Sequence, residues 1–201
     1  MKKVNLTSIG GEKSPPIFRI AVERGLADEF LVLFQNGVFM RARAGMSAGE
    51  FMEGVLGLDP EYIRTRVSTI FLNGMPVDDV EKAHLAPGCV LSLSAAMPGL
   101  VGATLRKGGI LSPMRSGISY REDASATGGG GFLVRLKLFN MIMREAGPDI
   151  LLGGVIVPAS AARAVIDLLP PGALYREEMD PLPEGDVLIE LIVEPLGGRA
   201  G

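Results

Sequence analysis

The chain has 201 residues with 20 basic and 23 acidic side chains, and its formal net charge of -3 argues against general nucleic-acid binding. One Cys (Cys89) and one His (His84) exclude a disulfide within the chain and leave too few ligands for an ordinary zinc site. A chain of this length buries ~70% of its unfolded surface on folding, so neither staple is required, and a lone thiol suits a reducing, cytoplasmic compartment.

Residues 1–16 are polar and carry Gly10-Gly11 and Pro15-Pro16, which suits an arm rather than a core element. The opening lysines have no apolar run behind them, so the start does not read as a signal peptide. Ile17 to Leu26 is mixed: Ser14 and the prolines suit a helix start, while Phe18, Ile20 and Val22 alternate like a strand. The reading leans to a short helix or irregular segment. Phe30 to Phe34 and Val38 to Arg43 flank Gln35-Asn36-Gly37, and an Asn-Gly pair between apolar runs predicts a tight β-hairpin. Ser47-Ala48-Gly49-Glu50 is a capping-box pattern, followed by Phe51, Val55 and Leu58 at helical spacing. Asp59-Pro60 restarts the helix, because Asp caps and Pro suits a first helical position. Thr69 to Leu72 reads as a strand, Asn73-Gly74 as a turn, Pro76-Val77 as a short extended piece and Val80 to Leu85 as a helical turn. Pro87-Gly88 then opens a strand from Cys89 to Ser94. Residues 83–105 carry no formal charge, but their prolines, glycines and serines break any continuous apolar helix, so no membrane span is expected.

Strand, turn, strand, helix, strand, short strand, helical turn, strand is the element order of the β-grasp, or ubiquitin-like, fold. It predicts strand 69–72 returning alongside strand 30–34. The run Phe71-Leu72-Asn73-Gly74-Met75-Pro76-Val77-Asp78 with Leu85-Ala86-Pro87-Gly88-Cys89-Val90-Leu91-Ser92-Leu93 resembles the second half of the bacterial sulfur-carrier branch of that superfamily, which includes the small subunit of molybdopterin synthase and the thiamine sulfur carrier. Pro87 and Cys89 stand where that branch usually has acids, and the resemblance covers residues 29–97 only. The resemblance implies a role for a Gly-Gly terminus that is adenylated and then thiocarboxylated. Here the chain continues past that point, so the carrier-tail candidate is Gly108-Gly109, after Leu105-Arg106-Lys107, exposed only by cleavage.

Residues 101–121 carry four basic residues and no acid, whereas residues from 122 onwards carry 6 basic and 12 acidic ones. Arg106, Lys107 and Arg115 are therefore the candidate contacts for an anion or a partner. Ser125 to Gly131 reads as a linker or mobile loop; no Lys-Ser/Thr pair follows its glycines to suggest a phosphate loop. Phe132 to Leu138 alternates like a strand, Asn140 to Ala146 reads as a short helix ended by Gly147-Pro148, and Gly154 to Val157 as a buried strand. Ser160 to Leu169 reads as a helix and Asp186 to Glu194 as a last strand.

The expected architecture is α+β: an arm (1–28), a β-grasp domain with its crossing helix (29–99), a basic Gly-rich connector (100–131) and a smaller α/β domain (132–201). His84 and Cys89 have no neighbours that would make them reactive, and no catalytic, metal or cofactor constellation is read. The expectation is a non-enzymatic ubiquitin-like module for protein partners, compatible with a homo-oligomer. The alternatives are a carrier or modifier working through Gly109, and a small-molecule enzyme with its site between the two halves.

Overall fold

The structure is a computed structural model that describes residues 14–96, 102, 104–109, 131–175 and 181–196. β1 (Ile17–Glu23) leads through a 3-10 helix (Arg24–Leu31) and α1 (Val32–Asn36) into β2 (Val38–Arg43). Then come α2 (Ala48–Gly54), α3 (Pro60–Thr65), β3 (Thr69–Leu72), β4 (Met75–Pro76) and β5 (Val90–Ser94). The second half runs β6 (Gly131–Phe139), α4 (Asn140–Gly153), β7 (Val155–Pro158), α5 (Ala159–Ile166), β8 (Leu174–Tyr175) and β9 (Leu188–Leu196). No helix among the described residues is long and apolar enough to cross a membrane.

Among the described residues, nine strands form one mixed sheet in the order β4-β3-β5-β6-β2-β7-β9-β1-β8. The β5–β6 and β1–β9 pairs are parallel and the other neighbours antiparallel. Strand alternation sends Ile20, Val38, Ile70, Leu91, Leu136, Val155 and Leu191 to one face, where they join one apolar cluster with Phe34, Phe51, Met52, Ile63, Ile142 and Val165. The helices thus cover one face. At ~1.5–3 kcal/mol for each large apolar side chain taken from water, that layer carries most of the stability.

Several local signals act as the sequence predicts. The Ser47 hydroxyl accepts from the Glu50 N–H at 3.1 Å, and the Glu50 carboxylate accepts from the Ser47 N–H at 2.8 Å, closing the capping box of α2. Asp59 caps α3 by accepting from the N–H groups of Glu61 and Tyr62. Asn73 (φ 52°) and Gly74 (φ 82°) take the positive φ values of a hairpin turn between β3 and β4.

Other expectations are overturned. Phe30 to Phe34 is helical: Phe30, Leu31, Leu33 and Phe34 are buried while Val32 is exposed, a spacing that fits a helix and not alternation. Asn36-Gly37 ends this helix instead of turning a hairpin. Gly37 (φ 97°) donates its N–H to the Leu33 carbonyl at 2.9 Å, and the backbone freedom that suits a type I′ turn suits a helix C-terminus equally. β2 pairs antiparallel with β6, Val38 opposite Leu136, and with β7 on its other side. β3 lies between β4 and β5, antiparallel to both, and not beside residues 30–34; the parallel contact at this end of the sheet is β5 with β6. Residues 17–23 form a strand rather than a helix. α4 runs through Gly147-Pro148 to Gly153, because Gly147 makes room rather than ending the helix: a Cβ there would lie 2.6 Å from Leu31 Cδ2. The line drawn between residues 29–99 and 132–201 does not separate one sheet from another, since β6 is inserted between β5 and β2.

The two halves correspond element by element. β1, helix, Gly37, β2 is matched by β6, α4, Gly154, β7, and the two glycines share φ values of 97° and 96°. β2 and β7 pair antiparallel with Phe39 opposite Ile156. Each is followed by a helix (α2 or α5), a strand (β3 or β8) and a last strand (β5 or β9). Those last strands are entered through Leu85-Ala86-Pro87-Gly88-Cys89-Val90-Leu91 and Leu182-Pro183-Glu184-Gly185-Asp186-Val187-Leu188, with Gly88 at φ 75° and Gly185 at φ 76°. The first strand of each half sits among the strands of the other: β6 between β5 and β2, β1 between β9 and β8.

Candidate functional site

The sequence singled out residues 106–109 and Arg115. Arg115 and Gly128–Gly130 lie outside the described residues. The Lys107 N–H donates to the Ser68 carbonyl at 2.7 Å, the Gly108 N–H to the Asp78 carboxylate at 3.2 Å and the Gly109 N–H to the Arg106 carbonyl at 3.1 Å. Gly108 takes φ 60° in this turn. The Lys107 ammonium donates to the Ile63 carbonyl at 3.1 Å, at the end of α3 where the helix dipole favours a cation, and burial pulls its pKa down. Gly108-Gly109 is thus fastened to the body of the protein, and Lys107 acts as a helix cap. Arg106 is exposed.

Neither lone residue is placed for chemistry. Cys89 is buried and burial raises its pKa, so the inert thiol dominates. His84 Nδ1 lies 3.2 Å from the Gly45 carbonyl, in a short bridge to Ser47. A third group joins the halves. The Tyr62 hydroxyl donates to Glu145 at 2.9 Å, and the Arg66 guanidinium bonds the same carboxylate. Arg66 and then Tyr62 hold Glu145 below the usual carboxylate range, while burial and then Glu145 push the Tyr62 phenol up. These three lock α3 to α4.

The open face of the sheet is different in character. Phe39, Leu133 and Ile156, with Leu188 against them, form a small apolar cluster there, and the Arg135 guanidinium stacks 4.9 Å over the Phe39 ring. Arg41 is paired with Glu190 at 2.9 Å. Arg43, Arg135 and Lys137 have no acidic partner among the described residues. On the same face, towards β3, a depression of about 490 Å³ is lined by Phe71, Gly74, Ser92, Ser94, Phe139 and Asn140. Register explains its make-up: Phe71 is opposite Ser92, Ser92 opposite Lys137, and Ser94 between Thr69 and Phe139. Asn140, at φ 53°, donates its side-chain amide to Ser94 Oγ at 3.0 Å. Thr69 is fully buried and its hydroxyl has no hydrogen-bond partner among the described residues.

The depression joins residues of both halves, and sequence reading missed it because Phe71 and Phe139 are far apart in the chain. The signal that was visible is the polar alternation of Ser92 and Ser94 within an apolar strand. No protein-family model matches this chain, and no curated protein or solved structure matches it either.

Proposed function

We propose that the chain is a tandem pair of β-grasp, ubiquitin-like units that have exchanged their first strands, and that it works as a non-enzymatic protein-interaction module. The strand order β4-β3-β5-β6-β2, with β5–β6 parallel and α2 and α3 between β2 and β3, supports the fold reading. It is the β-grasp order with β6 in the place of the first strand. The matched glycines and matched entries to β5 and β9 support the duplication.

The observation that carries the function is the charge on the open face that has no acidic partner among the described residues. Arg43, Arg135 and Lys137 stand beside the Phe39–Leu133–Ile156 cluster, on an otherwise acidic chain. A partner presenting carboxylates around an apolar contact is complementary to that face, with the charges giving orientation and rate more than affinity. A photo-crosslinker placed at position 43 in the native cell should yield one discrete adduct, which Lys137→Glu suppresses. The same probe at exposed Glu53 on α2 should yield none. Equal labelling from both faces sinks the interaction reading. A native species ending at Gly109, heavier by one sulfur, moves the function to the carrier alternative.

A further inference from the structure

We propose that the depression at the start of α4 binds a small organic acid, with an apolar or aromatic body between Phe71 and Phe139 and a carboxylate at the helix end. This stands on the geometry of the depression and does not depend on the partner reading.

The groups left unspent around the depression are donors. α4 is 14 residues long, and Phe139 at its N-cap has no side-chain oxygen to accept from the first-turn N–H groups. Ser94 Oγ accepts from Asn140, which leaves the Ser94 O–H free to donate. Thr69, opposite Ser94 in the β3–β5 ladder and behind the lining residues, holds a fully buried hydroxyl with no partner among the described residues. Such a group carries a desolvation cost that a ligand oxygen would remove. Lys137, opposite Ser92 in the β5–β6 ladder, places a cation on the same face beside the depression. No carboxylate is among the described residues that line it. Donors, a helix N-terminus and a single ammonium suit one negative charge, and the two phenyl rings suit an apolar body.

Asn140 shapes the same opening. A non-glycine residue at φ 53° is uncommon, and it persists here where a strand passes into a helix beside the depression. Its side chain holds Ser94 Oγ, and it is the one residue of the first turn of α4 among the described residues that line the depression.

The test uses the full chain with 3-phenylpropionate and its uncharged isostere, 3-phenylpropionamide, followed by amide chemical shifts. The acid should shift Ser94 and Met141 to Met143 saturably and bind at least about tenfold tighter than the amide, since hydrogen bonds to a charged acceptor exceed those to a neutral one. Lys137→Gln should weaken the acid about tenfold and leave the amide unchanged, and Asn140→Gly, which removes a lining side chain and releases Ser94, should weaken the acid about tenfold. Glycine accepts the positive φ, so the second variant keeps the fold. Thr69→Val should raise Tm yet weaken the acid. Equal affinity for acid and amide, shifts centred elsewhere, or no saturable shift up to ~10 mM overturns the proposal.

Discussion

Leu136→Ala tests whether β6 is the strand on which the whole sheet depends. Leu136 is fully buried, lies opposite Val38 on one side and Leu91 on the other, and packs into the cluster beneath the helices. Removing its isobutyl group loses transfer energy and leaves a cavity, together ~2–5 kcal/mol. For a chain near 200 residues that corresponds to a fall in Tm of roughly 5–15 °C. The informative readout is the single thiol, Cys89. It precedes β5, in the first half, and its carbonyl accepts from the Arg135 N–H at 2.9 Å. Thiol exposure and far-UV circular dichroism should therefore shift together to lower temperature or urea. A melt with two steps, in which Cys89 stays protected while the second half unfolds, would refute the continuous sheet and restore the division at residues 99 and 132.

Three further outcomes follow from particular side chains. Cys89 should react with an aromatic disulfide ~10³-fold more slowly in the native protein than in urea, because burial both raises its pKa and restricts access to rare opening events. A native rate close to the unfolded one would mean that the loop before β5 is open. Glu145 is held below its ordinary value of 4.5 by Arg66 and Tyr62, so its contribution is present above that value and lost as pH falls through the lower folded pKa. Glu145→Gln should flatten the acid limb of the stability curve in urea titrations; an unchanged limb removes the α3–α4 lock. Lys107 has the opposite chemistry, with a pKa lowered by burial from 10.5. Its burial cost is present at neutral pH and relieved as pH rises towards the ordinary value, so stability should gain in that window and Lys107→Met should abolish the gain.

What could be read from the sequence divides by the range of the interaction responsible. The capping box at Ser47, the cap at Asp59 and the Asn73-Gly74 hairpin are settled by bonds within a few residues, and they fold as written. Phe30 to Phe34 is five apolar residues long, too short for its period to be resolved. Only burial, with Val32 outward, shows that the helix wins. Asn36-Gly37 supplied the right backbone freedom to the wrong element. Gly147-Pro148 reads as a stop but works as a close-packing site against Leu31, a partner more than a hundred positions away. The depression shares that difficulty: its hydroxyls and rings meet only through the β3–β5–β6 register.

The proposed exchange of first strands makes one demand on a shorter chain. Phe18-Arg19-Ile20-Ala21-Val22 and Val134-Arg135-Leu136-Lys137-Leu138 alternate in the same phase, with Arg19 and Arg135 at matched places. In the full protein Ile20 and Val22 face the core beside β9, as Leu136 and Leu138 do beside β5. If the halves are copies of one unit, residues 14–109 without the rest should let β1 take the slot between β5 and β2. Ile20 and Val22 would then stand in for Leu136 and Leu138. Ile20 matches Leu136 in volume and Val22 is one methylene smaller than Leu138, so that fragment would be less stable than the parent by ~0.5–1.5 kcal/mol at this layer alone, before the loss of α4 from the cluster. The expected result is a cooperative urea transition, a protected Cys89 and cross-strand contacts between residues 17–23 and both 38–43 and 90–94. A fragment that binds a peptide of residues 131–139 and folds only then keeps the continuous sheet but removes the duplication. The slot would then accept β6 alone, and the matching glycines would be coincidence.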